Sequence, residues 1–208
     1  MSFSLISPNM LKTYENCPKK FYFRYVKNIS MPIDDEIFET GKNVHALASY
    51  YLRKENVDKM ELSLNDKEMC FWSYLKSVNY FSYECVNTEY NLAVKVGDNF
   101  FGGRLDALVK EPNRYYILDY KTGSVPKNAQ YDYQTIIYLL AVRAFYKTDD
   151  VSFIYLDLKN KTEVRIDLTN DLVKDYEKRL KIIASKISAS EFQKKSNECK
   201  CEYNIICY

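Results

Sequence analysis

Two aspartates and a lysine stand near one another in the sequence, at a spacing that suits metal-assisted chemistry. Asp106 and Asp119 lie on either side of the turn residues Pro112 and Asn113. If this turn joins two antiparallel strands, residues equally far from its centre face each other, which pairs the two aspartates. Their Cβ atoms would then lie about 5 Å apart, where carboxylates repel unless a cation lies between them. Lys121 projects from the same face of the sheet because it follows Asp119 by two residues.

Two carboxylates and an ammonium group on one sheet face could hydrolyse a phosphodiester bond. A hard Mg²⁺ or Mn²⁺ held by the carboxylates would polarise the phosphate and lower the pKa of a bound water. Lys121 could orient that water or stabilise the charge of the transition state. The alternative is a solvated hairpin with alternating charges. Against it, Asp106 and Asp119 are flanked by apolar residues, and Gly102-Gly103 lets another backbone or a ligand approach closely.

The surrounding segments predict the elements that position these residues. Apolar alternation and turn residues predict an antiparallel meander of three strands, at 89–96, 99–110 and 114–121. Helical spacing predicts helices from Ser7-Pro8 to Cys17-Pro18, from Thr40 onward, and at 66–82, 130–147 and 169–190. Two more strands are expected at 151–158 and 162–168. This order predicts a mixed α/β fold, of α+β type.

The composition is that of one globular domain covering 1–208. Hydrophobic residues make up 47%, and no Pro/Gly/Ser-rich linker divides the chain. Thirty basic residues against 28 acidic ones neither require nor exclude a nucleic-acid partner. The N-terminus lacks a signal-peptide pattern, and no stretch approaches the ~20 apolar residues of a membrane span. We therefore expect a cytoplasmic protein that has no membrane partner.

Three further residues could belong to the same site. His45, the only histidine, lies beside an apolar stripe of its predicted helix. Taken alone, it is more often a structural residue than a metal ligand. Gln134 and Tyr138 are four residues apart on the helix that follows the hairpin, so they can reach a common partner. Tyr138 lies among aliphatic residues and, taken alone, would be assigned to the core.

Three motifs together carry a resemblance to a known family. GRLD at 103–106, DYKTG at 119–123 and QTIIY at 134–138 are similar to successive motifs of the RecB-type branch of the PD-(D/E)XK nucleases. The resemblance implies a restriction-endonuclease-like core, in which helices flank a central mixed β-sheet in the order αβββαβ. It also implies a hydrolase that cuts DNA with the help of a divalent metal.

The resemblance assigns roles to the residues that match these motifs. Asp106 and Asp119 would bind Mg²⁺ or Mn²⁺, with the backbone carbonyl of Tyr120 as a further ligand, and Lys121 would assist catalysis. His45, in GKNVH, matches a histidine that this branch uses as an additional metal ligand.

The cysteines suggest a second inorganic group. The opening SPNMLKTYENCPKKFYFRYV is similar to the first motif of an iron-sulfur subset of these nucleases and places Cys17 at the first ligand position. Cys199, Cys201 and Cys207 would complete a 4Fe-4S cluster that joins 191–208 to 1–30 in one subdomain. The C-x-C-x5-C spacing is one residue shorter than the C-x2-C-x5-C usual in the family. Reduced, unconnected thiols and a four-thiolate zinc site are the alternatives.

The resemblance covers essentially the whole chain and implies a stand-alone DNA exonuclease. Gln134 and Tyr138 would contact the nucleic-acid strand or orient catalytic groups. We expect a preference for single-stranded DNA ends, in recombination, repair or phage DNA processing, with recombination or CRISPR adaptation proteins as partners. The alternatives are a CRISPR-associated spacer-acquisition nuclease, a non-catalytic DNA-binding scaffold on the same fold, and an RNA-directed nuclease. A scaffold would be expected to lack an acidic residue or the lysine, and all are present.

Overall fold

The structure, a computed structural model, describes residues 3–31, 36–195 and 201–207. Its N-terminal part is helical and comprises α1 (Pro8–Asn16), α2 (Pro18–Phe21), α3 (Glu36–Leu52), α4 (Asp58–Leu62) and α5 (Asp66–Ser77). Five strands and two helices follow: β1 (Glu84–Val96), β2 (Asn99–Glu111), β3 (Arg114–Lys121), α6 (Tyr133–Tyr146), β4 (Val151–Asp157), β5 (Thr162–Asp167) and α7 (Asn170–Ser188). Within these ranges no helix is long and apolar enough to cross a membrane.

The five strands form one mixed sheet in the order β1-β2-β3-β4-β5. The first three strands are an antiparallel meander, β4 runs parallel to β3, and β5 is antiparallel to β4. Helix α6 makes the crossover that a parallel pair requires. The predicted mixed α/β fold and its αβββαβ order are confirmed, and the strand predicted at 162–168 and the helix predicted at 169–190 follow as β5 and α7.

Helices cover both faces of the sheet and create two apolar layers. Strand β4 is buried along its whole length. Phe153 and Tyr155 pack in the layer that contains α1, α6 and α7, whereas Ile154 and Leu156 pack in the layer that contains α3 and α5. Successive side chains of a strand point to opposite faces, so a strand covered on both sides is mostly apolar, as residues 153–156 are here. This explains the continuous apolar run at the predicted strand.

Local sequence sets the ends of the first two helices. Ser7 Oγ accepts a hydrogen bond from the backbone N–H of Met10 at 3.3 Å, and Pro8 occupies the first helical turn. This N-terminal cap satisfies one of the N–H groups that a helix start leaves without a partner. Cys17 is extended, so α1 ends before it, and Pro18 begins α2. The predicted interruption at Cys17-Pro18 is confirmed.

Two helix predictions were inaccurate at their ends. The helix predicted at 66–82 ends at Ser77, because Val78 adopts an extended conformation and residues 79–82 form a separate 3-10 turn. The helix predicted from Thr40 begins earlier, at Glu36. Neither change moves the residues of the predicted site.

The predicted register of the acidic hairpin is also confirmed. Ala107 pairs with Leu118, and Glu111 pairs with Arg114 next to the turn. The next opposed position in this register is Asp106 with Asp119. There the backbone ladder between β2 and β3 stops, while β3 continues to pair with β4. The two carboxylates therefore lie where the hairpin strands separate and where space opens between them.

Candidate active site

Strands β2 and β3 bring the acidic residues and the lysine together. Asp106 Oδ2 accepts a hydrogen bond from the backbone N–H of Tyr120 at 2.9 Å. A side-chain oxygen thus replaces the backbone acceptor at the position where the pairing of β2 with β3 ends. Asp119 and Lys121 project from the same face of β3, and Lys121 Nζ lies 2.7 Å from Asp119 Oδ2. The two carboxylates and the ammonium group form the cluster that the spacing predicted.

Helix α3 adds His45 to this cluster. Its Nε2 lies 3.0 Å from the backbone oxygen of Tyr120, and its Nδ1 lies 3.4 Å from Asp106 Oδ1. Burial alone would lower the pKa of His45, but a hydrogen bond to Asp106, the charges of Asp106 and Asp119, and the Tyr120 carbonyl raise it above the ordinary value. The structure thus places the histidine nitrogens beside both a carboxylate and the carbonyl named in the sequence analysis.

Gln134 connects the catalytic candidates of β3. Its Nε2 donates to Asp119 Oδ1 at 3.0 Å, and its Oε1 accepts from Lys121 Nζ at 3.0 Å. The backbone N–H of Gln134 donates to Asp132, the residue that caps α6. One amide therefore fixes both the carboxylate and the ammonium group, and the start of α6 sets the position of that amide.

Tyr138 lies one turn further along α6, in the core. It is 4% exposed, and its hydroxyl donates to the backbone oxygen of Arg104 at 3.0 Å. Gly103 makes this close approach feasible, since a Cβ atom there would lie 2.8 Å from the Tyr138 hydroxyl oxygen. The close approach expected at Gly102-Gly103 is thus made by the protein itself. The predicted contact of Tyr138 with a nucleic-acid strand stays a prediction.

Asp119 is the most deeply buried charged group of the cluster, at 4% exposure. Burial, together with the negative charge of Asp106, raises the pKa of Asp119 to about 6, although Lys121 opposes the shift. Its buried Oδ2 contacts the ammonium group of Lys121 in an ion pair at 2.7 Å. The negative charges of Asp106 and Asp119 lie beside one lysine, so the cluster is suited to a further cation.

Glu89 belongs to the cluster and was missed in the sequence analysis. One ligand atom each from His45, Glu89 and Asp106 lie within 4.8 Å of one another. Glu89 adopts a left-handed backbone conformation, with φ of 49°, which is uncommon for a residue other than glycine. Its carboxylate also lies 2.9 Å from Arg104 Nε.

A signal for Glu89 was present in the sequence. Thr88 pairs with Ala107 and Tyr90 pairs with Leu105, which places Glu89 opposite Asp106 on the neighbouring strand. The turn at Gly97-Asp98 predicts this register in the same way that Pro112 and Asn113 predict the next hairpin. Applying the argument to both hairpins would have revealed the third carboxylate.

The donor set suits a hard divalent cation. It combines carboxylate oxygens, one imidazole nitrogen and the Tyr120 carbonyl, with no sulfur ligand close by among the described residues. Mg²⁺ and Mn²⁺ prefer oxygen ligands of this kind. A cleft of about 800 Å³ leads to the cluster from solvent, and His45, Asp106 and Lys121 line it. Its volume lies within the range usual for ligand sites.

The predicted iron-sulfur ligands lie in two segments that contact each other. Tyr203 stacks on Phe23 with ring centroids 5.6 Å apart, and its hydroxyl donates to the backbone oxygen of Ile29 at 2.8 Å. Glu202 forms an ion pair with Lys20 at 2.9 Å. The segment that carries Cys201 and Cys207 therefore packs on the helical segment that follows Cys17, while Cys199 lies outside the described residues.

The fold and the site together define a nuclease of the restriction-endonuclease-like class, in which a mixed sheet carries the acidic residues and the lysine. A sequence model of the PD-(D/E)XK nuclease superfamily matches residues 5–78 and 66–208. The chain belongs to this superfamily, as its motifs predicted. The RecB-type subtype is compatible with this match.

A solved structure supports the same fold. A crystal structure described as "Putative exonuclease" from Eubacterium rectale superposes with a TM-score of 0.60 at 10% identity, over 99% of this chain and 88% of that chain. A structure described as SSO0001 superposes with a TM-score of 0.47 at 17% identity, over 100% of this chain and 87% of that one. At 10% identity the first likeness bears on the fold alone. No curated protein matches the sequence.

Proposed function

We propose that the protein is a divalent-metal-dependent DNA exonuclease that prefers single-stranded ends. The observation that carries the proposal is the cluster of Asp106, Asp119, Lys121 and His45, in which Asp119 is only 4% exposed and its Oδ2 lies 2.7 Å from Lys121 Nζ. A buried carboxylate held beside a second one costs stability unless a cation compensates it. Such a site is better explained by metal-assisted hydrolysis than by a structural role.

The cation would be held by Asp106, Asp119, His45 and the Tyr120 carbonyl, with Glu89 as a further ligand. A bound Mg²⁺ or Mn²⁺ acts as a Lewis acid on the scissile phosphate and makes a water molecule more acidic. The protein's own part is to hold these donors in place, which the strand ladder and α3 do before any substrate arrives. Such preorganisation avoids reorganisation during the reaction.

Lys121 is the residue that we assign to charge stabilisation. It lines the cleft, and Gln134 and Asp119 both hold its ammonium group in position. A fixed positive charge next to the scissile phosphate stabilises the negative charge that grows in the transition state. Gln134 acts through its two partners and is therefore a positioning residue. Tyr138 supports β2 through its hydrogen bond to the backbone oxygen of Arg104.

We further propose that Cys17, Cys199, Cys201 and Cys207 hold a 4Fe-4S cluster that fastens the C-terminal segment. The supporting observation is the packing of Tyr203 on the segment after Cys17. The cluster's contribution would be structural, and zinc or free thiols are the alternatives.

A non-catalytic scaffold is the second candidate function, but the retention of both aspartates and the lysine in one cluster argues against it. Several expectations stay predictions from the sequence. They are action in recombination, repair or phage DNA processing, action in CRISPR adaptation, the corresponding protein partners, and a cytoplasmic location.

The proposal is tested by incubating anaerobically purified protein with end-labelled single-stranded and blunt duplex DNA, in Mg²⁺, Mn²⁺ or EDTA. We expect nucleotides to be released from single-stranded ends faster than from duplex ends, and no cleavage in EDTA. Asp119→Ala and Lys121→Ala should each reduce the rate by at least about 100-fold, on the scale typical of transition-state groups. Cleavage that survives Asp119→Ala in a contaminant-free preparation would contradict the assignment.

A further inference from the structure

The cleft continues well beyond the acidic cluster. From His45 it follows α3 toward its C-terminal end, where Tyr50 and Arg53 line it, and Arg104 of β2 lines it as well. Arg53 follows His45 by eight positions, a span of about 12 Å at the helical rise of 1.5 Å per residue. The cleft therefore accommodates more of a substrate than the scissile phosphate alone.

Arg53 is held in a fixed position at the far end of this cleft. Its Nη1 donates to the hydroxyl oxygens of Ser49 at 2.7 Å and Thr88 at 2.9 Å. Its Nε lies 2.6 Å from a carboxylate oxygen of Glu55. Ordering a long side chain costs conformational entropy, and here this ordering has occurred before any ligand binds. The guanidinium is therefore preorganised.

Tyr50 has the guanidinium of Arg53 over one face of its ring. The Cζ atom of Arg53 lies 4.7 Å from the ring centroid, yet Tyr50 remains 40% exposed. The next residue, Tyr51, is 37% exposed but packs edge-on against Trp72 and does not line the cleft. A partly exposed ring that lines a cleft is suited to bind a flat apolar group.

Arg104 supplies a second guanidinium. Its side chain is 66% exposed, and its Nε contacts Glu89 at 2.9 Å. This contact places the positive charge next to the proposed metal ligands. A phosphate that leaves the metal site along the cleft meets Arg104 near the cluster and Arg53 at the far end.

We infer that Tyr50, Arg53 and Arg104 form a subsite for the nucleotides next to the scissile phosphate, with the base stacked on Tyr50 and the phosphates bound by the two guanidiniums. The inference rests on the proposed nuclease function and specifies its substrate as an unpaired strand. Aromatic rings bind bases of any sequence by their faces, and guanidiniums bind phosphates and also stack. A base can take up this position only when it is not stacked in a duplex.

Oligonucleotide binding tests the subsite without requiring catalysis. Fluorescence anisotropy in EDTA would compare the affinity of the wild type, Tyr50→Leu and Tyr50→Phe for a labelled single-stranded oligothymidylate. Tyr50→Leu should weaken binding about tenfold, the scale of one base–aromatic stack, while Tyr50→Phe should retain it. Phe145→Leu, a change at an exposed aromatic on α6, is the matched control and should have no effect.

Arg104→Ala tests the phosphate contact separately, since its exposed side chain can be removed without disturbing the core. The slope of the logarithm of the binding constant against the logarithm of the salt concentration should become shallower, by the amount that corresponds to about one phosphate contact. The stacking role would be overturned if Tyr50→Leu bound the oligonucleotide as tightly as the wild type, or if Tyr50→Phe lost as much affinity as Tyr50→Leu. It would also be overturned if Tyr50→Leu lost as much affinity for blunt duplex as for single-stranded DNA. An unchanged salt dependence in Arg104→Ala would overturn the phosphate role.

Cleavage in Mn²⁺ separates this inference from the proposed function. Tyr50→Leu should raise KM about tenfold at an unchanged kcat, because stacking next to the reacting centre contributes to binding and not to the chemical step. A protein that binds in a Tyr50-dependent manner but never cuts would retain the subsite and refute the nuclease proposal. If the wild type and Tyr50→Leu both cut DNA with the same KM, the nuclease proposal would stand and the subsite would be refuted.

Discussion

At the scale of single residues, the site depends on three carboxylates that the neighbouring strands β1, β2 and β3 bring together. Asp106 is held by the Tyr120 amide, Asp119 by Gln134, and Glu89 by Arg104. Asp106 also contacts His45, and Asp119 also contacts Lys121, so each of these two carboxylates is held from more than one side. This arrangement positions the donors for a cation while limiting their mutual repulsion.

Glu89→Gln tests whether the third carboxylate contributes to metal binding. The amide keeps the shape of the side chain but loses its charge, so we expect Mn²⁺ affinity to fall about tenfold, on the scale of losing one supporting ligand. Isothermal titration of anaerobic protein with Mn²⁺ measures the change. Glu84→Gln is the matched control, because Glu84 lies on the same strand and forms an ion pair with Lys110, away from the cluster. Equal affinities of wild type and Glu89→Gln would remove Glu89 from the metal site.

At the scale of elements, the packing of α6 against β2 fixes the site from behind. Gly103 leaves room for the Tyr138 hydroxyl, and one turn earlier on the same helix Gln134 reaches Asp119 and Lys121. A shift of α6 would therefore move the amide that holds both catalytic candidates. The core contact and the site geometry are coupled through one helix.

Gly103→Ala measures this coupling. The added methyl group would lie 2.8 Å from the Tyr138 oxygen, so we expect a loss of about 1 to 3 kcal/mol in the free energy of unfolding. Urea denaturation measures the loss. Adding Tyr138→Phe should recover part of it by removing the crowded oxygen, and Gly123→Ala, where a Cβ meets no atom within 4 Å, should change little. Stability of Gly103→Ala equal to the wild type would disprove the close packing.

Strand β5 offers a pH-dependent test of the sheet edge. Asp167 accepts hydrogen bonds from buried Ser152 at 2.6 Å and from Arg165 at 2.9 Å. Partial burial alone would raise the pKa of Asp167, but Ser152, Arg165 and Arg114 lower it below the ordinary value. A carboxyl whose pKa is lower in the folded protein stabilises the fold above its unfolded pKa, and this stability is lost as the pH falls.

Asp167→Asn should therefore destabilise the protein at pH 7 and have a smaller effect near pH 3. Because the side chain is half exposed, solvent screens its charge, and we expect no more than about 1 kcal/mol at pH 7. Thermal unfolding of both proteins across this pH range measures the difference. Asp150→Asn, which removes an exposed ion pair with Arg114, is the control. An effect of Asp167→Asn that grows toward low pH would contradict the assigned sign.

At the scale of the whole molecule, residues 201–207 pack against residues 20–29. The contacts of Glu202 and Tyr203 with Lys20, Phe23 and Ile29 join the C-terminal segment to the N-terminal helices. A cluster ligated from both segments would close a loop that includes the whole sheet. Closing so long a loop restricts the unfolded chain and adds to stability.

Replacing Cys17 or Cys207 by serine tests the cluster. If a 4Fe-4S cluster is present, anaerobic protein should be brown with about four iron atoms and four sulfides per chain, and each change should lose colour and lower the melting temperature. Cys70→Ser is the control, because Cys70 is exposed on α5, away from the two segments. Stoichiometric zinc, or protein without iron, would rule out the cluster and leave the nuclease proposal intact.

The sequence by itself determined the parts of the protein that depend on short-range order. Turn residues and apolar alternation set the register of the acidic hairpin, so the pairing of Asp106 with Asp119 and the side of Lys121 follow from the order of residues alone. Ser7 and Cys17-Pro18 likewise set the ends of α1. These features depend on local backbone preferences and strand period, which neighbouring residues determine.

Only the tertiary structure decided which distant elements meet around that hairpin. Helix α3 brings His45 and Tyr50 to it, and α6 brings Gln134 between Asp119 and Lys121. These contacts join residues far apart in the chain, and they depend on how helices pack on the two faces of a twisted sheet. No local pattern encodes that packing, because burial and shape complementarity are properties of the assembled layers.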